Sequence, residues 1–364
     1  FRLCHLTVSH TRREVAPRAV SPFIERTNSS EQFSDHGGYF DVVVKPMLQQ
    51  GHEGELCGWL KEMSLIRTEA TCPKLECSGR CLAWNAARVV DKYNWSCPGC
   101  SRKQSIRDGS FFLSVKCDLK TCLQIILGWC QMVPYELAAG YLGVKEHVIK
   151  KVYERCAKVT EIYVNSHPED FKLGGPGSVL IVDEYPSGYM TENGTDVAVS
   201  KKRNNNSHAI LCIAEASAVP PRMWMHMIRG VPIMNKAQEN PNKCGMVEEA
   251  LNEITQHVLP GSFIVANNKA RCCNYESIKE LQRYAVVNVE YLQKFDAPGK
   301  NKLLGNLETI WQTGVEVCEE VQESVNALGV QIISTYLWRQ RFASSPSFAF
   351  ECMLNHIAEI YKFT

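Results

Sequence analysis

Hydrophobic and polar positions change their period along this chain, and the changes divide it. From Asp118 to about Val164 apolar residues recur at helical spacing, with Leu119, Leu123, Ile126, Leu127 and Cys130 on one face and Pro134 breaking the run. The pattern predicts a second short helix over 135–142, stopped by Gly143, and a longer third over 145–164. Ala138 and Ala139, followed by Leu142-Gly143-Val144, give this pair a helix-turn-helix-like look, because small residues let helices approach and glycine takes a tight turn. A packed helical linker fits the same pattern.

Gly174-Gly175-Pro176-Gly177 is the clearest boundary. Beyond it, 178–182 is a continuous apolar run closed by Asp183, as expected of a buried strand that presents a carboxylate at its end. Strand-like runs recur at 209–213, 223–228, 262–266 and 285–289, and helical patterns at 246–259, 276–284 and 307–322. Strands first and alternating helices later predict an α/β unit with a mixed sheet. Residues 1–50 lack sustained periodicity and read as an irregular extension with a short strand over 39–44, while Leu56, Leu60 and Met63 mark a short helix. The expected division is therefore 1–50, 51–112, 113–173 and 174–364.

Composition changes this picture little. The hydrophobic share of 45% and charged share of 22% are ordinary for a globular protein. No run of eighteen apolar residues is present, so no membrane span is expected. Phe1–His10 lacks the charged start, apolar stretch and cleavage site of a secretory signal. The net charge of +1 means that any DNA-binding surface must be local, because phosphate neutralisation needs clustered Lys and Arg. Seventeen cysteines allow either a disulfide framework or an intracellular protein with a metal site and spare thiols. The odd number, and the apolar settings of Cys122, Cys130, Cys156 and Cys318, favour the second.

The candidate metal site is a cysteine cluster. Cys97-Pro98-Gly99-Cys100 is a tight C-x2-C knuckle, and Cys72-Pro73-x3-Cys77 lies upstream as a looser C-x4-C, with Cys81 as an alternative ligand. Zinc takes four soft ligands in a tetrahedron, and two such turns supply them where a small domain lacks a core of its own. The expectation is a structural zinc ribbon held by Cys72, Cys77, Cys97 and Cys100.

The string Cys97-Pro-Gly-Cys100-Ser-Arg-Lys-Gln-Ser105-Ile-Arg-Asp-Gly-Ser-Phe111-Phe112 resembles the join between zinc ribbon and helical linker in Merlin-type DDE transposases and their bacterial insertion-sequence relatives. Further similarities follow in order: Asp183-Glu184, Leu259-Pro260-Gly261-Ser262, Val287-Asn288, Asn306-Leu307-Glu308-x-x-Trp311 and Tyr336-Leu337-Trp338-Arg339. The resemblance spans about Cys72 to Asn355. It implies an RNase H-like domain in which two Asp and one Glu hold two divalent cations, with Asp183 in the first position and Glu308 in the third. Hard oxygen ligands suit Mg²⁺ or Mn²⁺, and two ions about 4 Å apart would activate the nucleophile and steady the leaving oxygen.

At the second position this chain departs from the family. Where an Asp is implied, the strand ends in Asn267-Asn268, and no Asp or Glu occurs between Glu253 and Glu276. The triad becomes Asp183, Asn267, Glu308, and Mg²⁺ or Mn²⁺ binding is expected to be weak or absent. Tyr185-Pro186-Ser187-Gly188 replaces the basic residues and His usual after Asp-Glu, and Val289 stands where a His is expected. The resemblance thus implies a domesticated or decayed transposase, nuclear, acting through DNA, chromatin or protein partners. Two rivals stand beside it: an active metal-dependent nuclease or strand-transferase rescued by Glu184 or an Asn267-bound water, and a protein-interaction scaffold without DNA binding. Arg102, Lys103 and Arg107 beside the ribbon, and Lys201-Lys202-Arg203, are the candidates for DNA backbone contacts. Trp95, Trp129 and Trp311 are expected in the core.

Overall fold

The computed structural model describes residues 33–77, 80–188, 208–216, 222–229, 245–289 and 314–363. Glu308, Trp311 and Lys201-Lys202-Arg203 lie outside the described residues. Helix α1 (Glu53–Glu62) buries Leu56, Cys57 and Leu60, close to the expected pattern. It leans on a three-stranded antiparallel sheet, β1 (Ala83–Ala86), β2 (Tyr93–Ser96) and β3 (Lys103–Ser105), in the order β1-β2-β3. Lys61 joins the two, its ammonium 3.4 Å from the centre of the Trp84 ring.

Three helices follow. α2 (Leu119–Cys130) begins at Asp118, whose carboxylate caps the Thr121 N–H. α3 (Tyr135–Leu142) ends at Gly143, which takes the left-handed conformation with φ 62° that the sharp turn into α4 (Glu146–Ser166) requires. Gly143 thus stops the short helix where the sequence pattern expects it. α2 is buried on more than the expected face, since Ile125, Gly128 and Trp129 are covered too.

Phe33 and Tyr153 cover Gly128, and the last two helices cover much of the rest. Helices α8 (Asn326–Phe342) and α9 (Pro346–Ile360) both pack on α4, and α9 also packs on α2. Arg339 lies over the Trp129 ring at 4.0 Å and donates to the Trp129 carbonyl at 2.7 Å, a second donor to an acceptor that the Met132 N–H also reaches at the end of α2. The linker helices and the last two helices form one helical layer, which the local pattern of either segment alone does not reveal.

That layer covers the larger sheet. After the short strand β4 (Leu173–Gly174) comes β5 (Val179–Tyr185), the central strand. β6 (Ile210–Glu215) pairs antiparallel with β5, and β7 (Met223–Met227) antiparallel with β6. Helix α5 (Gly245–His257) leads to β8 (Val258–Leu259), which pairs with β4. On the far side of β5 lie β9 (Phe263–Ala266) and, past helix α6 (Tyr275–Glu280), β10 (Ala285–Asn288), both parallel. The order is β10-β9-β5-β6-β7, a mixed sheet in an α/β unit. A described helical stretch, 314–323 (α7), precedes α8. No helix among the described residues is long and apolar enough to cross a membrane.

Two expectations fail locally. The strand expected over 39–44 is a π-helical turn, Phe40–Val44. Asp35 takes the Phe40 and Asp41 N–H groups at 2.8 and 3.0 Å, and Phe40 packs edge-on against Phe350 at 5.3 Å. Residues 33–47 are accordingly docked on α9 rather than irregular, with the Tyr39 N–H donating to Ser347 Oγ. Helix α6 stops at Glu280, short of the expected 284, and Gln282 there adopts a φ of 51°.

Two buried histidines tie this core to pH. His356 Nδ1 accepts the Trp338 indole N–H at 2.9 Å, and its ring stacks on Tyr163. His257 stacks on Trp224. Burial pushes both pKa values down to about 4, against an ordinary value of 6.5. The unfolded chain takes up protons below pH 6.5 and the folded chain only near 4. Stability is therefore full above about 6.5, falls between 6.5 and 4, and levels off below, by roughly 3 kcal/mol for each histidine. Urea midpoints followed by tryptophan fluorescence across that window should show the fall. A flat profile would contradict it.

Candidate functional site

The cysteine cluster assembles as expected. The Sγ atoms of Cys72, Cys77, Cys97 and Cys100 all lie within 4.8 Å of one another, and Cys72 and Cys100 are 3.7 Å apart. A tetrahedral zinc ion with Zn–S bonds near 2.3 Å would set its sulfurs roughly 3.8 Å apart. Four thiols so arranged could hold a metal ion such as zinc. Backbone supplies the geometry: the Cys97–Cys100 turn joins β2 to β3, and the Cys100 and Gly99 N–H groups bond the Cys97 sulfur, lowering its pKa to about 6 despite burial. The other pair hangs on a 3-10 turn, Leu75–Cys77, closed by the Cys72 N–H to the Arg80 carbonyl at 2.9 Å. Cys81 is exposed and stands outside the four, its backbone bridging Thr71.

The second candidate site lies where β5 and β9 end. Their parallel register pairs Ile181 with Val265, so two residues further on Asp183 is level with Asn267. The Asn267 side chain donates its Nδ2 to Asp183 Oδ1 at 2.9 Å. Its Oδ1 is already taken by the Lys269 and Ala270 N–H groups at 2.8 and 3.0 Å. Those backbone donors fix the amide's orientation, so the face toward Asp183 is a donor. Asp183 Oδ1 accepts the Glu184 N–H as well, at 2.8 Å. Asp183 is 1% exposed and Asn267 4%. A Cβ at Gly188, where φ is 132°, would fall 2.1 Å from Asp183 Oδ1, so only glycine allows the chain to close over this carboxylate.

Glu184 points elsewhere. It is 0% exposed and accepts the Arg271 and Cys272 backbone N–H groups, the latter at 2.8 Å, and the Arg271 guanidinium at 3.0 and 2.9 Å. Neighbouring positions on a strand face opposite ways, which separates it from Asp183. Arg271 is the residue that sequence reasoning missed. It stands just past Asn267-Asn268, and its partner lies 87 positions away.

The proposed DNA contacts divide. Arg102 and Lys103 are exposed beside the ribbon. Arg107 is not available: it is 6% exposed, forms a forked pair with Asp91, and donates to the Val115 and Cys117 carbonyls at 2.9 and 2.7 Å. Its assignment as a phosphate contact is corrected to a structural one. Trp95 and Trp129 are buried, as expected. In comparisons with protein-family models, curated proteins and solved structures, none matches this chain.

Proposed function

We propose that this chain is a transposase-derived DNA- or chromatin-binding protein, nuclear in its setting, whose RNase H-like domain has lost two-metal chemistry and whose cysteine cluster holds structural zinc. The observation that carries the reading is the Asn267 amide seated on the Asp183 carboxylate. In the resembled family a cation would sit between two carboxylates at this place. Here a neutral N–H offsets the charge from within, and a divalent ion would have to displace it while gaining one carboxylate at this pair of strand ends rather than two. Mg²⁺ or Mn²⁺ binding is accordingly weak. The rival in which Glu184 rescues the second ion is disfavoured, because that carboxylate is bound by Arg271 and Cys272.

The DNA half of the proposal has its own test. Fluorescence anisotropy with a labelled duplex should show affinity falling as salt rises, and replacing Arg102 and Lys103 together by alanine should reduce the logarithmic salt slope by about 2. A flat salt response would favour the protein-interaction scaffold instead. Mn²⁺-dependent cleavage of the duplex, abolished by Asp183→Ala, would replace the proposal with the active enzyme.

A further inference from the structure

The start of α2 carries chemistry that the proposed function does not use. In many helices the residue before the N-cap packs on the fourth residue inside, fixing the entry of the chain. Asp118 is the N-cap here, and the two positions that meet are both cysteines, Cys117 and Cys122. Their sulfurs lie 3.4 Å apart. Cys122 is fully buried, whereas Cys117 is half-buried and borders an open groove of about 630 Å³, lined also by Val90, Lys103, Arg107 and Lys116.

We propose that Cys117 and Cys122 are a redox-active dithiol that a hydroperoxide converts to a disulfide. A reactive pair needs an accessible thiolate with a second thiol poised behind it. The groove supplies access to Cys117, and the helix start supplies the partner. The Cys122 S–H bond and the nearby Arg107 charge hold the Cys117 pKa below its ordinary value against the opposing effect of burial. Arg107 also grips the Cys117 carbonyl, which keeps the charge and the thiol together.

The steps balance as follows. The Cys117 thiolate attacks the terminal oxygen of the peroxide, the O–O bond breaks, and the leaving alkoxide or hydroxide takes a proton from water. Cys117 is then a sulfenic acid. The Cys122 sulfur attacks the Cys117 sulfur, the S–O bond breaks, and the Cys122 proton leaves with the hydroxide as water. Two thiols lose two electrons and two protons, and the peroxide is reduced to an alcohol and water, or to two waters from hydrogen peroxide. The sulfurs need approach by only about 1.4 Å to reach bonding distance. The product is a covalent staple between α2 and the loop that joins it to the ribbon.

The reduced full-length chain, exposed to a few equivalents of hydrogen peroxide, alkylated with N-ethylmaleimide and digested with trypsin, tests this directly. Cleavage after Lys116 and Lys120 leaves Cys117 and Cys122 on separate peptides, so their disulfide appears as a linked pair two hydrogens light. Fragmentation must place the link on Cys122 rather than Cys130. Cys352 is the internal control, since it is also half-buried but burial pushes its pKa up to about 11. Cys117 should lose its free thiol at least about ten-fold faster than Cys352. In a Cys122→Ser variant, a dimedone adduct should accumulate on Cys117. Equal rates at Cys117 and Cys352, or oxidation of Cys117 with Cys122 still alkylated in the wild-type chain, would overturn the proposal. Both readings come from the native sequence and stand even where the serine variant fails to fold.

Discussion

If the cysteine cluster holds zinc as proposed, replacing Cys97 by serine is expected to release it and unfold the small sheet of β1–β3 while the rest of the protein stays folded. Serine offers a hard, protonated oxygen where the site needs a thiolate, so the tetrahedron loses a ligand. Besides the cysteines, the ribbon is held by the Lys61–Trp84 contact, by the Arg107–Asp91 pair at its base and by a small apolar core. β1 is mostly exposed, and Trp95 is the largest buried side chain on these strands. Binding of zinc by such small domains is on the order of 10 kcal/mol, and its loss exceeds what that packing can replace. The helical layer and the five-stranded sheet have their own core and should survive. Metal content and Trp84 and Trp95 fluorescence are the measurements, with Cys81→Ser as the control that retains the metal. Full zinc retention in the Cys97 variant would contradict the ribbon.

Arg107→Ala should be the other severe substitution, costing about 3–5 kcal/mol. Both charges of the Arg107–Asp91 pair are buried, with side chains 7% and 9% exposed. Removing the guanidinium leaves the Asp91 carboxylate in the interior and strips the Val115 and Cys117 carbonyls of their donor. Arg107→Lys should not restore stability, because an ammonium cannot reproduce the fork. Urea denaturation checks both variants. A residue that merely touched phosphate would do the reverse, altering the salt slope of DNA binding and leaving the denaturation midpoint alone.

These two residues show what was legible along the chain and what was not. The four clustered cysteines could be named because knuckle spacing is local, and a turn of fixed length brings its own thiols together. The five strands of the larger sheet could be read because β5 and β6 are buried on both faces and so run continuously apolar. Arg107 carried the same signal as Arg102, a basic side chain beside a cysteine knuckle. Only the fold turns one inward to Asp91 and leaves the other exposed. The Glu184–Arg271 pair was hidden for a similar reason, since Glu184 lies near the end of β5 and Arg271 in the loop after β9, 87 positions on. Phe40 and Val44 misled because a β-rich run read without its neighbours takes no account of α9, on which it docks.

The central claim is that an internal amide has taken the place of a cation beside Asp183. An aspartate at 267 would keep one oxygen on the Lys269 and Ala270 N–H groups and turn the other toward Asp183. Two carboxylates so close need a cation or a proton between them. The most direct measurement is Mn²⁺ binding, by spin resonance of the free ion, to the wild-type chain and to Asn267→Asp. The account predicts negligible binding by the wild type at about 1 mM Mn²⁺ and at least about ten-fold tighter binding by the variant. Paired Mn²⁺ ions held tightly by the wild type, and lost in Asp183→Ala, would contradict it.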